Sequence, residues 1–176
     1  MKIATWNVNS MKVRLPHVME WMQANEPDVL VLQEIKQVTE AFPAAELLEA
    51  GYQSLANGQK TYNGVAVISK PALADPVIEF PGFDDPQRRV LATTIDGVRV
   101  VNLYIPNGSE VGSEKYDYKL RWLATLRDFL EDEMSRHDNL VVLGDFNIAP
   151  ADEDVYDAEK WGDAILCSPK EREALG

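Results

Sequence analysis

Three short segments carry oxygen-bearing side chains just past apolar runs: Trp6-Asn7-Val8-Asn9, Leu32-Gln33-Glu34 and Gly144-Asp145-Phe146-Asn147. Carboxylate and carboxamide oxygens suit a small hard cation, Mg2+ or, failing that, Mn2+. Only two histidines and one cysteine occur in 176 residues, which disfavours a zinc site built on His/Cys spacing. A hard cation beside an ionised carboxylate offsets charge on phosphoryl oxygens and polarises water, so the chemistry suggested is phosphodiester hydrolysis. Each segment also has a purely structural use. Asn7 can cap a turn before Ser10, Glu34 can open a loop, and Asp145 with Asn147 can form an Asx-turn after Gly144. The conjunction of all three at the same kind of position favours the metal reading.

The elements that must place these residues are short, nearly continuous apolar runs at 2–6, 28–32 and 139–143, the pattern of strands covered on both faces. Further strands are expected near 64–69, 90–95 and 98–104, with Asp96-Gly97 as a tight hairpin and the pairs Asn57-Gly58 and Asn63-Gly64 as turn signals. Leu15, Val18, Met19 and Met22 recur at helical spacing before the stop Asn25-Glu26-Pro27. Leu120, Leu123, Leu126, Leu130 and Met134 give the same stripe to a long helix from about Ser113. Strands alternating with helices predict a layered α/β fold. The hairpin requires one antiparallel pair, and no GxGxxG or GxxxxGK loop is present, which argues against an all-parallel nucleotide-binding sheet.

At 45% hydrophobic and without repeats or low-complexity tracts, residues 1–176 read as a single domain. No N-terminal apolar stretch suits a signal peptide or membrane span, and Cys167 has no partner for an internal disulfide, so a reducing cytoplasm is the expected setting. No histidine lies near Cys167 in sequence, so a buried or surface thiol is expected there rather than a nucleophile.

Taken together, the metal-site segments, Pro27-Asp28-Val29, Tyr62-Asn63-Gly64-Val65-Ala66, Arg88-Arg89-Val90 and Tyr104-Ile105-Pro106-Asn107-Gly108 resemble the exodeoxyribonuclease III type of apurinic/apyrimidinic endonuclease, within the endonuclease–exonuclease–phosphatase superfamily. The resemblance covers essentially the whole chain. It implies a four-layer sandwich of two packed mixed β-sheets with helices on the outer faces, incomplete here. It also implies that Glu34 is the principal metal ligand, with Asn7 beside it as ligand or orienting group. Asp145 would prepare the attacking water or protonate the leaving oxygen, and Asn147 would orient Asp145 or hold a phosphate oxygen; both are also placed near the metal. Tyr104 would set its hydroxyl on the scissile phosphate.

The implied partner is double-stranded DNA bearing abasic sites or 3′ ends, with no membrane involved and a monomer as the working form. The formal charge of −12 opposes DNA binding only in part. Residues 128–176 hold 14 acidic and 4 basic side chains, whereas residues 1–127 hold 15 and 13. Lys36, Lys60, Arg88, Arg89, Lys115 and Lys119 are candidates for a phosphate-gripping rim. Lys60, Tyr62, Arg88, Arg89 and Asn107 are the expected DNA-binding set.

In the family an Asp-His pair follows in a C-terminal portion, and neither His17 nor His137 matches it. Ser168-Pro169-Lys170-Glu171 reads as a capping box with proline at the first helical position. A helix so clearly begun is expected to lead into more protein, about 80 residues on ordinary domain sizes. Three functions follow as expectations: a Mg2+-dependent DNA repair nuclease that cuts 5′ to abasic sites and removes nucleotides from 3′ ends; a superfamily phosphatase for phosphoinositides or small phosphate esters; or a silent fragment that binds metal or a partner chain, with little turnover of its own.

Overall fold

The computed structural model describes all residues from 1 to 176 and contains two four-stranded mixed sheets. The first is built from β1 (Ile3–Asn7), β2 (Val29–Gln33), β3 (Gln53–Asn57) and β4 (Val65–Ser69), in the order β1-β2-β4-β3. The second holds β5 (Ala74–Val77), β6 (Val90–Ile95), β7 (Val98–Tyr104) and β8 (Leu140–Asp145), in sequence order. Helices are α1 (Met11–Asn25), α2 (Ala44–Glu49), α3 (Glu114–Arg136), α4 (Ala158–Trp161) and α5 (Pro169–Leu175). The α/β architecture with two mixed sheets is as the sequence predicts, and no helix is long and apolar enough to cross a membrane.

Chain contacts divide the molecule into two compact units, Met1–Tyr104 with Asp132–Asp145, and Ile105–Glu131 with Phe146–Gly176. Both sheets lie in the first. Each contains one parallel pair joined through a helix: β1 and β2 through α1, β7 and β8 through α3. Parallel strands end at the same edge. Asn7 therefore lies level with Gln33, and Tyr104 level with Asp145. The remaining pairs are antiparallel, with Asp96 and Gly97 both at positive φ in the tight turn between β6 and β7.

Alternation along the strands builds two cores. Leu30, Leu32, Ala66 and Ile68 pack with Met11, Val18 and Met22 of α1 and Leu47 of α2. Their neighbours Val29, Val31, Val65 and Val67 pack with Leu91, Ile95 and Val100 of the second sheet. The first sheet is thus covered on both faces, which explains the unbroken apolar runs in β2 and β4. Complete burial of each such side chain stabilises the fold by roughly 1.5–3 kcal/mol. β1 and β8 depart from the expected burial on both faces: they are edge strands, none of their residues is fully buried, and Ile3, Trp6, Val141 and Leu143 stay partly uncovered.

Polar ties fix the two sheets against one another. Asn102 of β7 donates to the Leu32 and Ala66 carbonyls, 2.9 Å each, and its Oδ1 accepts from Gln33 Nε2 at 2.8 Å. Asn57, at the end of β3, donates to the carbonyls of Val90 (2.9 Å) and Ile78 (2.7 Å), so it does more than mark a turn. In the same unit the last turn of α3 is held by the buried Arg99–Glu133 ion pair.

The apolar stripe expected on α3 is displaced. Met134 is 57% exposed and Leu120 and Leu130 are only half-buried, whereas Tyr116, Lys119, Trp122, Leu123, Leu126, Phe129 and Glu133 form the buried face. Two charged residues sit on that face, each matched to an opposite charge, and a purely hydrophobic pattern passes over them. The α5 capping box is present, with Ser168 and Glu171 reciprocally bonded.

Asn102→Leu removes three buried hydrogen bonds in exchange for similar volume, and leaving their partners unsatisfied is expected to cost about 2–4 kcal/mol of unfolding free energy. Urea denaturation would measure it. A loss below about 0.5 kcal/mol, the size of an ordinary surface substitution, would contradict the bridging role.

Candidate active site

The C-terminal ends of the two parallel pairs bring Asn7, Glu34, Tyr104 and Asp145 together in the first unit. Asn7 is the link. Its Nδ2 donates to Glu34 Oε1 at 2.8 Å and to Asp145 Oδ2 at 2.8 Å, spanning 138 residues of sequence in the second bond. Its Oδ1 accepts from the Asn9 backbone N–H at 3.1 Å. In this geometry the Asn7 donor faces the two carboxylates and its acceptor faces the Asn9 backbone.

Local backbone makes the placement possible. Glu34 directly follows β2 with φ +53°, a left-handed conformation that costs a non-glycine residue roughly 1–2 kcal/mol. Asn9 and Lys36 share it. Such strain at neighbouring positions is typical of functional sites. Gly144 is required for a different reason: at φ +142°, a Cβ there would lie 2.0 Å from the Leu103 carbonyl oxygen, so only glycine lets β8 run beside β7 up to Asp145.

Burial alone would raise the Glu34 carboxyl, but hydrogen bonds from Asn7, Lys36 and Tyr104, with the Lys36 charge, outweigh it and hold the group below the ordinary carboxylate value. Lys36 Nζ stands 3.0 Å from Glu34 Oε2 and also bonds Asn9 Oδ1. Burial pushes the Tyr104 hydroxyl up to about 12; the negative charge of Glu34 adds to this, the Arg89 charge opposes it, and Asp145 contributes in the same direction as Glu34. At neutral pH Tyr104 therefore keeps its proton and can donate it in a hydrogen bond. The Arg89 guanidinium stacks 4.6 Å from the Tyr104 ring centroid and donates to the Tyr104 carbonyl at 3.1 Å and to Gln87 Oε1 at 2.8 Å.

The expected rim is partly redrawn by these contacts. Arg89 is 9% exposed and engaged with Tyr104, so it holds the tyrosine instead of reaching out as a free phosphate grip. Lys36 likewise faces Glu34. Lys119 is fully buried in an ion pair with Glu171 and is no rim residue at all. Lys60, Tyr62 and Lys115 are exposed and Arg88 half-buried. The loop carrying Lys60 and Tyr62 is tied to the Arg88 segment: Gln59 Oε1 accepts from Arg88 N at 2.7 Å and Asn63 Nδ2 at 3.1 Å, and Gly64 N donates to Arg88 O at 2.8 Å. His17 is exposed on α1, and His137 lies just past α3, 3.8 Å from Glu133.

In the second unit Asn107 is exposed and its Nδ2 reaches Asn147 Oδ1 at 3.4 Å, while Asn147 Nδ2 donates to the Ile105 carbonyl at 2.9 Å. Asn147 too is left-handed, at φ +48°. Sequence reasoning missed the Gln33–Asn102 bridge and the Arg89–Tyr104 stack. The only sequence signal for either was an amide or arginine inside an otherwise apolar strand or at its start.

The carboxylate oxygens of Glu34 and Asp145 suit a hard cation that completes its shell with water and substrate phosphate. Removing the shared donor should show in titration. In Asn7→Leu, carboxyl-carbon NMR is expected to move the Glu34 midpoint upward from its lowered value, toward or past the ordinary 4.5; an unchanged midpoint would refute the bridge. Because the folded-state value is depressed, the stability this pairing contributes is present above the unfolded carboxylate pKa and fades as pH falls through the lowered one, and the variant should lose that acid-side dependence.

The chain is similar in sequence and fold to several known proteins. Residues 4–172 match the model of the Endonuclease/Exonuclease/phosphatase family. Exodeoxyribonuclease III of Haemophilus influenzae is 32% identical over 188 residues, covering 98% of this chain and 69% of its own. Among solved structures, the 3′ phosphatase NExo from Neisseria, bound to a product DNA hairpin, superposes with a TM-score of 0.98 at 53% identity, over 99% of this chain and 68% of that one. An AP endonuclease from Archaeoglobus fulgidus gives 0.94 at 36% identity, over 99% and 68%. The chain thus spans about two thirds of the length of each. Nearly all of its sequence falls within the matched region, and the chain belongs to the endonuclease/exonuclease/phosphatase family.

Proposed function

We propose that this protein is a DNA repair nuclease that hydrolyses phosphodiester bonds with the help of Mg2+, acting at abasic sites and at 3′ ends of duplex DNA. The observation that carries the reading is the Asn7 amide shared between Glu34 and Asp145, beside a protonated Tyr104. Proteins of this family are generally metal-dependent, and magnesium is our assignment from the donor set. A cation held by Glu34 and Asp145 would offset charge on the phosphoryl oxygens and lower the pKa of bound water.

The chain's own groups supply the remaining steps. Asp145, oriented by Asn7, takes a proton from the attacking water or returns one to the leaving oxygen. Tyr104 donates its hydroxyl hydrogen bond to a phosphoryl oxygen, its ring fixed by the Arg89 stack. Within the second unit Asn147 and Asn107 lie side by side and offer amide donors for phosphate. Lys60, Tyr62 and Arg88 form the basic, aromatic surface for the backbone of the duplex, supported by the Gln59 ties that hold the two loops together.

The 53% identity to a protein described as a 3′ phosphatase favours work at 3′ ends, and the 32% and 36% likenesses to an exodeoxyribonuclease and an AP endonuclease favour phosphodiester cleavage. The full-length protein, given duplexes with an abasic site, a 3′ phosphate or a plain recessed 3′ end, should process DNA in Mg2+ and stop when a chelator is added. Glu34→Gln and Asp145→Asn should each lower kcat by about 100- to 10,000-fold, the range for loss of a positioned acid, base or charge stabiliser. Release of phosphate from phosphoinositides with no action on any DNA substrate would overturn the assignment in favour of a small-ester phosphatase.

A further inference from the structure

A lysine with no exposed surface is rare unless it is paired, and Lys119 of α3 is such a case. Within the second unit its ammonium forms an ion pair with Glu171, also fully buried, and donates to the backbone carbonyls of Asn107 at 3.1 Å and Asn147 at 2.6 Å. An ammonium has three N–H donors, and each of these acceptors can take one. Two of them belong to the asparagines implicated above in phosphate binding.

Glu171 is held in its turn. Its Oε1 accepts from Leu166 N at 3.2 Å, and its Oε2 accepts from Ser168 N at 3.1 Å and Ser168 Oγ at 2.7 Å. Ser168 Oγ also meets the Tyr116 hydroxyl at 2.6 Å. The lysine stem is packed as closely as its head. Gly108, at φ +89°, leaves room for it, since a Cβ there would lie 3.0 Å from Lys119 Cδ and 2.8 Å from Ile165 Cδ1.

Apolar residues of similar volume often replace a buried ion pair with no loss of stability, so stability alone does not account for this one. Its geometry offers another account: one point charge fastens two loops that lie 40 residues apart in sequence and hands the load to the capping box of α5. We propose that Lys119, anchored by Glu171, is a positioning residue that fixes the backbone at Asn107 and Asn147 and so aims both side chains for phosphate. The proposal rests on the nuclease reading for its functional consequence.

The test uses the full-length protein and its Lys119→Met, Lys119→Arg and Lys119→Met/Glu171→Gln variants; the double variant leaves no buried charge unpaired and serves if Lys119→Met does not fold. Hydrogen exchange by mass spectrometry should speed up by about tenfold or more at 105–109 and 146–149, with 29–33 unchanged, as local opening of an untethered loop requires. Cleavage of abasic or 3′-phosphate duplex should lose about 10- to 100-fold in kcat with KM within about threefold, as for slight misplacement of reacting groups, and Lys119→Arg should regain most of it. Unchanged exchange at both loops, or a folded variant that cleaves within about twofold of the parent, would overturn the proposal. If the parent itself cleaves no DNA, the nuclease reading fails, and the exchange result alone decides whether the lysine tethers the loops.

Discussion

One carboxamide nitrogen with two hydrogens satisfies two carboxylates from different sheets, and the site depends on that contact. Glu34 and Asp145 come from strand ends far apart in sequence. Asn7 Nδ2 gives each a donor at 2.8 Å. Lys36 adds a positive charge on the far oxygen of Glu34, and the net effect is a glutamate held ionised in spite of its partial burial. A site of this kind is preorganised for a cation: its negative charge is in place before metal or phosphate arrives.

The fold supplies the convergence by topology. Parallel strands end on one edge, and each sheet contributes one parallel pair with its helix crossover, so four strand ends deliver Asn7, Glu34, Tyr104 and Asp145 to one place. The buried amides Asn102 and Asn57 then fix the sheets against one another from inside. Hydrophobic packing between Val31, Val67 and Val100 has no preferred direction. Directional hydrogen bonds between the sheets supply the alignment that a shared donor demands.

Much of this could be read from the residues. The apolar runs gave β2, β4, β6 and β7 because burial on both faces writes a continuous pattern, and Asp96-Gly97 gave the hairpin because the turn needs positive φ. Asn7, Glu34 and Asp145 stood out as polar residues where such runs stop. What could not be read was how charge is matched at long range. In the sequence Lys119 reads as a basic rim residue and Glu171 as part of a capping box, and only the folded chain pairs them, 52 residues apart. Arg89 looked like a phosphate grip until its stack on Tyr104 was visible. Met134, apolar and at helical spacing, is exposed because charged residues occupy its place on the buried face of α3.

The most direct measurement of the central claim is paramagnetic broadening of backbone amide NMR signals during a titration with Mn2+, which substitutes for Mg2+ at oxygen sites. The convergence described here predicts that signals of Asn7, Glu34 and Asp145 disappear together at the lowest metal concentrations, and that Mg2+ restores them. Separate loss of the Glu34 and Asp145 signals at different concentrations, or bleaching centred elsewhere in the acidic stretch 152–163, would contradict it.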